Sequence, residues 1–345
     1  MKIGILTFHK SINHGAFFQA YTTYSFLKTK GYDVEIINYI NKNFWFNDYK
    51  AFLWTKKPTL LYKNIIKIFK FKKSYTKFKL SKFTKNTEKL DTLKYDVIIV
   101  GSDIVWNYEW IFLGNDPIYF GEGIEAKKLI SYAPSCGAVN IDNPIPDFVK
   151  KGLTKFAHIS VRDEHTLKIV QKAIGVIPKI VLDPTFIYDT RGEEPEIKEE
   201  KQYVLVYAFS LREKEIQSTI KYAKENNCKL ISVGYSNPWC DKNYIDIGPF
   251  EWLSYFKNAK YILTSTFHGT IFSINYEKNF VTSNNAGIET KIKTILETIG
   301  LGGRVIENQS VEELFDKGID YMHISSKLNE LIEDSRNYLL RSIND

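Results

Sequence analysis

The stretch YILTSTFHGTIFSINYEKNFVTSN, Tyr261 to Asn284, decides the fold. It opens on a β-rich run, YILTST (261–266), and closes on another, NFVTSN (279–284). Between them, after His268, Ile271, Phe272 and Ile274 supply the apolar positions of a helix. Strand, crossover helix and strand make a unit whose strands pair in parallel and bury both faces of their sheet. At the joint of first strand and helix stand Ser265, His268, Gly269 and Thr270. A helix N-terminus offers N–H groups and a positive dipole end to an anion. From periodicity alone, His268 is a catalyst, an anion ligand or a buried ring with its hydrogen bonds satisfied.

The same alternation extends outward in both directions. Upstream come KIGILTF (2–8), a helical stretch ending at Gly31, DVEIINY (33–39), YDVIIVGSD (95–103), KKLISYAPS (127–135), HISVRDE (158–164) and KIVLDPTF (179–186). After an acidic, polar break at Arg191–Gln202 the pattern restarts with YVLVYAF (203–209), a helix through Ile216–Ala223, KLISVG (229–234) and a helix from Pro249. The expected organisation is an α/β chain of two open parallel-sheet domains, 1–190 and 203–320, with a C-terminal helix at 321–345 that packs back on the first domain. Break Arg191–Gln202 reads as an exposed linker, and a ligand is expected in a cleft at the carboxyl ends of the strands.

Charge is concentrated in one segment. Lys42 to Lys85 holds thirteen lysines against Asp48 alone, a local +12 within a chain of net +7. Inside it, LLYKNIIKIFKFKK (Leu60–Lys73) spaces Leu61, Ile65, Ile68 and Phe69 near helical periodicity. One reading is contact of Lys63, Lys67, Lys70 and Lys73 with an anionic lipid surface or lipid-linked substrate. The other is a solvated helix packed on its own domain. No nucleic-acid motif accompanies the charge. Cys136, Cys228 and Cys240 are scattered and odd in number, as in a reducing compartment, and neither they nor His9 and His14 have metal-site spacing. With no signal-peptide pattern and no long apolar run, the expected location is the cytoplasm, with a peripheral place on the inner membrane face if the lysines meet lipid.

Three further stretches put polar groups at strand ends. In FHKSINHGAFFQAY, Asn13, His14 and Gly15 open a helix, suited either to an anion or to capping by Ser11 or Asn13. Asp103, after VIIVGS, suits a sugar hydroxyl, a general base or a cap. Arg162 offers a fork for a carboxylate or phosphate, unless it pairs with Asp163 or Glu164, while Asp183 reads as a structural turn before Pro184.

Taken in order, TFHKSINHGAFFQAY, VIIVGSDIVWN, SYAPSCG, ISVRDEHT, LDPTF, GPFEWLSYFKNAKYILTSTFHGTIFSINY and GLGGRVI resemble the polysaccharide pyruvyl transferase family over about residues 1–305. The resemblance implies two Rossmann-like domains facing a cleft, similar to the GT-B glycosyltransferase architecture. It implies transfer of pyruvate from phosphoenolpyruvate, a substrate rather than a cofactor, to a sugar or lipid-linked oligosaccharide of a cell-surface glycan such as a capsule or exopolysaccharide. Carried over by motif, His268 is the general acid or phosphate ligand and Arg162 holds the donor. Ser265, Gly269, which allows close approach, Thr270 and Lys291 join the donor side. Asp103 is a second catalytic candidate, and it lies with Asn13, His14 and Gly15 on the acceptor side. The chain departs from well-known members at Thr266, where they carry an arginine, and Lys291 or Arg304 is the expected replacement for that charge. The same scaffold also suits a nucleotide-sugar glycosyltransferase or a non-catalytic, membrane-associated glycan-assembly protein.

Overall fold

The computed structural model describes residues 1–84, 94–113, 115–199, 201–284 and 289–345, with the side chains of 113 and 289–291 outside the description. In chain order the first elements are β1 (Lys2–Leu6), α1 (His14–Thr29), β2 (Asp33–Ile36), α2 (Lys42–Leu53), α3 (Pro58–Ser74), β3 (Val97–Val100) and β4 (Lys128–Ser131). They continue with α4 (Asp147–Leu153), β5 (Ser160–Val161), α5 (Glu164–Ile174), β6 (Lys179–Ile180) and α6 (Pro184–Ile187). Next come β7 (Tyr203–Tyr207), α7 (Glu213–Glu225), β8 (Lys229–Val233), β9 (Lys242–Tyr244), α8 (Pro249–Asn258), β10 (Tyr261–Thr264), α9 (Phe267–Asn275) and β11 (Asn279–Ser283). The chain ends through α10 (Glu289–Thr298), β12 (Val305–Ile306), α11 (Val311–Asp316) and α12 (Tyr321–Asn344). No helix among the described residues is long and apolar enough to cross a membrane.

Two compact units result. The first comprises Met1–Phe52, Tyr75–Tyr188 and Glu330–Asp345; the second comprises Leu53–Ser74 and Asp189–Asn329. In the first, β2-β1-β3-β4 pair in parallel throughout. β3 is VIIV, buried at every position, as a strand covered on both faces requires. The expected strands at 158–164 and 179–186 shrink to β5 and β6, a separate parallel pair. The cause is local: Asp163 already caps α5 by accepting from Thr166 N, and Asp183 caps α6 from Thr185 N.

The second unit carries a six-stranded, all-parallel sheet, β12-β11-β10-β7-β8-β9. Counted from β7, this is the doubly wound order three-two-one-four-five-six, with its reversal between β7 and β10. In the first unit the order reverses between β1 and β3. Such reversals open a crevice at the strands' carboxyl ends, so two crevices are available, one per unit.

Two expectations change here. Residues 191–199 are less a free linker than a strap on the second unit: Lys257 engages the buried Glu194 carboxylate, and Lys242 and Tyr244 engage Glu199. The lysine-rich segment splits, its middle part, Leu53–Ser74 with α3, belonging to the second unit and the chain on either side to the first. Lys67 is buried and donates to Gly234 O at 3.3 Å, Lys63 donates to Asn243 O at 3.2 Å, and Lys70 pairs with Glu251 at 2.8 Å. Lys63, Lys67 and Lys70, expected to face lipid, are therefore engaged by the protein itself.

Candidate functional site

In the second unit, the loops after β7 and β10 meet at the reversal. The Ser265 hydroxyl accepts from Phe209 N at 2.8 Å and donates to Phe209 O at 2.7 Å, tying the two loops together. Thr264 Oγ1 donates to Tyr207 O at 2.8 Å. Thr266 is the N-cap of α9, its hydroxyl accepting from Gly269 N at 2.9 Å and lying 3.1 Å from Thr264 Oγ1. Gly269 is required by this packing: a Cβ there would overlap Thr264 Oγ1 and come within 2.6 Å of Thr266 Oγ1. Its small size thus serves the turn. Thr270, wholly buried, donates to Thr266 O and shares a hydrogen bond of 2.9 Å with Thr282. Ser265, Gly269 and Thr270 build the turn, and the half-buried His268 is the titratable side chain that the turn presents, set edge-on to Phe267 at 5.0 Å.

Of the two cations expected to replace the missing arginine, Arg304 is consumed elsewhere. Its buried guanidinium donates to Phe280 O, Leu314 O and Gly318 O and to Asn279 Oδ1, and burial draws its pKa down to about 10. The Lys291 side chain lies outside the described residues. Sequence reasoning passed over Arg212, which follows the β7 loop, caps α7 and gives its Nε and Nη2 edge to Glu215. Its signal was available: an arginine a few residues past a buried strand, at a sheet reversal.

The first unit's reversal gathers a second set. Asn13 caps α1, accepting from Ala16 N at 3.1 Å, so the capping role falls to it rather than Ser11; His14 and Gly15 are buried in the first turn. After β3, Gly101 has φ +113 and a Cβ there would stand 2.5 Å from Tyr132 O, which excludes other residues. Asp103, also left-handed at φ 71, folds its carboxylate onto Ile104 N at 2.8 Å and caps no helix. Arg162 pairs not with Asp163 or Glu164 but with Asp183, Nη1 to Oδ2 at 2.8 Å, both side chains buried. Asp183 also accepts from Ser102 Oγ, Ser102 N donates to Gln19 Oε1, and Gln19 bonds Thr7. His9, beside them, lies wholly buried against Thr7 O and Asn38 Oδ1, and burial pulls its pKa to about 4. Among the described residues, no three His, Cys, Asp or Glu side chains cluster as metal ligands.

Comparison with known proteins settles the family. The family model described as polysaccharide pyruvyl transferase matches residues 13–286. The chain belongs to the polysaccharide pyruvyl transferase family. It is therefore a transferase of polysaccharide modification, which sets aside the non-catalytic alternative. No curated protein matches it in sequence. Solved structures share its fold at low identity. The UDP-GlcNAc 2-epimerase of Methanocaldococcus jannaschii is 13% identical with a TM-score of 0.54, covering 95% of this chain and 93% of that one. The Neisseria meningitidis UDP-GlcNAc 2-epimerase bound to UDP-GlcNAc is 12% identical, TM-score 0.51, over 99% and 94%. An alpha-glucosyltransferase in complex with UDP is 10% identical, TM-score 0.50, over 100% and 94%. This pyruvyl transferase family member thus has the GT-B type of fold, two Rossmann-like units. The family match spans both reversal sites, Asn13 to Asp103 in the first unit and His268 in the second.

Proposed function

We propose that this transferase moves pyruvate from phosphoenolpyruvate to a sugar of a cell-surface glycan precursor. The observation that carries the reading is His268 in the first turn of α9, at the β7–β10 reversal, where a helix's positive end favours an anion. In the reaction the donor's methylene carbon takes a proton, two sugar hydroxyls bond to its C2, and the C2–O bond to phosphate breaks. One hydroxyl proton balances the new methyl group and the other leaves on phosphate. His268 serves as the acid or as a phosphate ligand, with Arg212 as the nearby-loop cation that Thr266 does not supply. Asp103, Asn13, His14 and Gly15 are assigned to the acceptor. Arg162, already held by Asp183, is assigned to the fold rather than to the donor.

The nucleotide-bound relatives of the same fold make a nucleotide-sugar glycosyltransferase the second reading. Thermal-shift titration separates them: phosphoenolpyruvate raises the melting temperature and nucleotide sugars do not, whereas the reverse pattern overturns the proposal. With phosphoenolpyruvate and a panel of nitrophenyl or lipid-linked glycosides, His268→Ala is expected to lower phosphate release by roughly 100-fold or more. Full activity of that variant would remove His268 from the chemistry.

A further inference from the structure

Helix α3 turns Lys63, Lys67 and Lys70 toward the protein and leaves Tyr62, Ile65 and Phe69 outward. Asn64, Lys67, Ile68 and Phe71 form its buried face, while Tyr62 and Phe69 are 67% and 66% exposed and Ile65 is exposed between them. The spacing of 62, 65 and 69 places them on one helical stripe, away from the buried face. A soluble helix normally has the opposite arrangement. Trp54, just before the helix, is 73% exposed. Exposed lysines bracket the stripe at both ends, Lys56 and Lys57 before it and Lys72 and Lys73 after it, and no acidic residue occurs from Leu53 to Ser74.

We infer that this face of α3 docks the protein on an anionic lipid bilayer. Tyr62, Ile65, Phe69 and Trp54 enter the headgroup boundary, where amphipathic aromatic rings are favoured, and the bracketing lysines meet lipid phosphates. Only a surface that takes apolar side chains and bears negative charge fits both halves of the pattern. The face is not the lysine side of the helix, since Lys63, Lys67 and Lys70 are turned to Asn243, Gly234 and Glu251. The inference stands whether or not phosphoenolpyruvate is the donor, because it concerns a different surface.

Flotation of the full chain with phosphatidylcholine vesicles, with and without phosphatidylglycerol, tests it. The wild type is expected to float with the anionic vesicles only, less so as salt rises. Tyr62→Ser/Ile65→Ser/Phe69→Ser is expected to weaken that binding roughly tenfold or more. Lys72→Glu/Lys73→Glu, which leaves the apolar stripe intact, is expected to weaken it comparably and keeps the test open should the first variant misfold. Absence of flotation, or flotation unchanged in either folded variant, overturns the inference. So does a wild-type dimer that the serine variant converts to monomer without any vesicle binding, since the stripe would then cover a second copy.

Discussion

Arg162 stands almost wholly out of water with Asp183 beside it, so its energetics are those of a buried pair. Removing one partner of such a pair leaves an uncompensated charge and costs about 3–5 kcal/mol. Arg162→Met is accordingly expected to lower unfolding free energy by that order in denaturant titrations, whereas a residue serving only as a donor ligand would leave stability unchanged. His9 gives a pH prediction at the same scale. Its pKa near 4 lies below the ordinary 6.5 because burial disfavours the imidazolium, so the native ring stays neutral while the unfolded ring protonates first. Its stabilisation is complete above about 6.5, falls as pH drops toward 4 and is flat below, a total loss of about 3 kcal/mol. His9→Asn should flatten denaturant midpoints between about pH 6.5 and 5.5, above most of the range in which carboxylates titrate. An undiminished slope in that variant would assign the effect to another group. The sequence pointed to Arg162 as a donor ligand and to His268 as a general acid or phosphate ligand. What ties Arg162 into the fold is Asp183, twenty-one residues on, a pairing that spacing along the chain does not encode.

At the scale of elements, the fold was readable because buried parallel strands are continuous apolar runs, as in VIIV and YVLVY, and each is followed by turn or capping residues. Strand lengths were less readable, since a cap such as Asp163 or Asp183 halts a strand early. The destination of α3 was hidden for a different reason: periodicity defines the face of a helix but not its neighbour, and lysine stems pack against apolar surface while their ammonium groups reach carbonyls. Lys67 and Lys70 make the point measurable. Lys67 is buried, and Lys67→Ala is expected to cost about 1–3 kcal/mol through the lost charged hydrogen bond and packing. The Lys70–Glu251 pair is more than a third exposed, and Lys70→Ala is expected to cost about 1 kcal/mol at most. Equal losses in the two variants, measured by urea unfolding, would contradict the burial that distinguishes them.

For the whole molecule, the reversal in each unit makes its own prediction. The donor assignment rests on a turn whose hydroxyls are satisfied within the protein, from Thr264 to Thr270, and on the positive end of α9, which favours an anion beside His268. A bound anion should therefore suppress local opening of that turn most strongly. Hydrogen exchange with saturating phosphoenolpyruvate is expected to slow the amides of Ser265–Ser273 and of the β7 loop through Arg212, in the second unit. It is expected to leave the Arg162–Asp183 region, already locked by its ion pair, nearly unchanged. The comparison uses the same sample and so is insensitive to global stability. Protection centred on Arg162 and absent at 265–273 would return the donor to the first unit and leave His268 with a structural role at the head of α9.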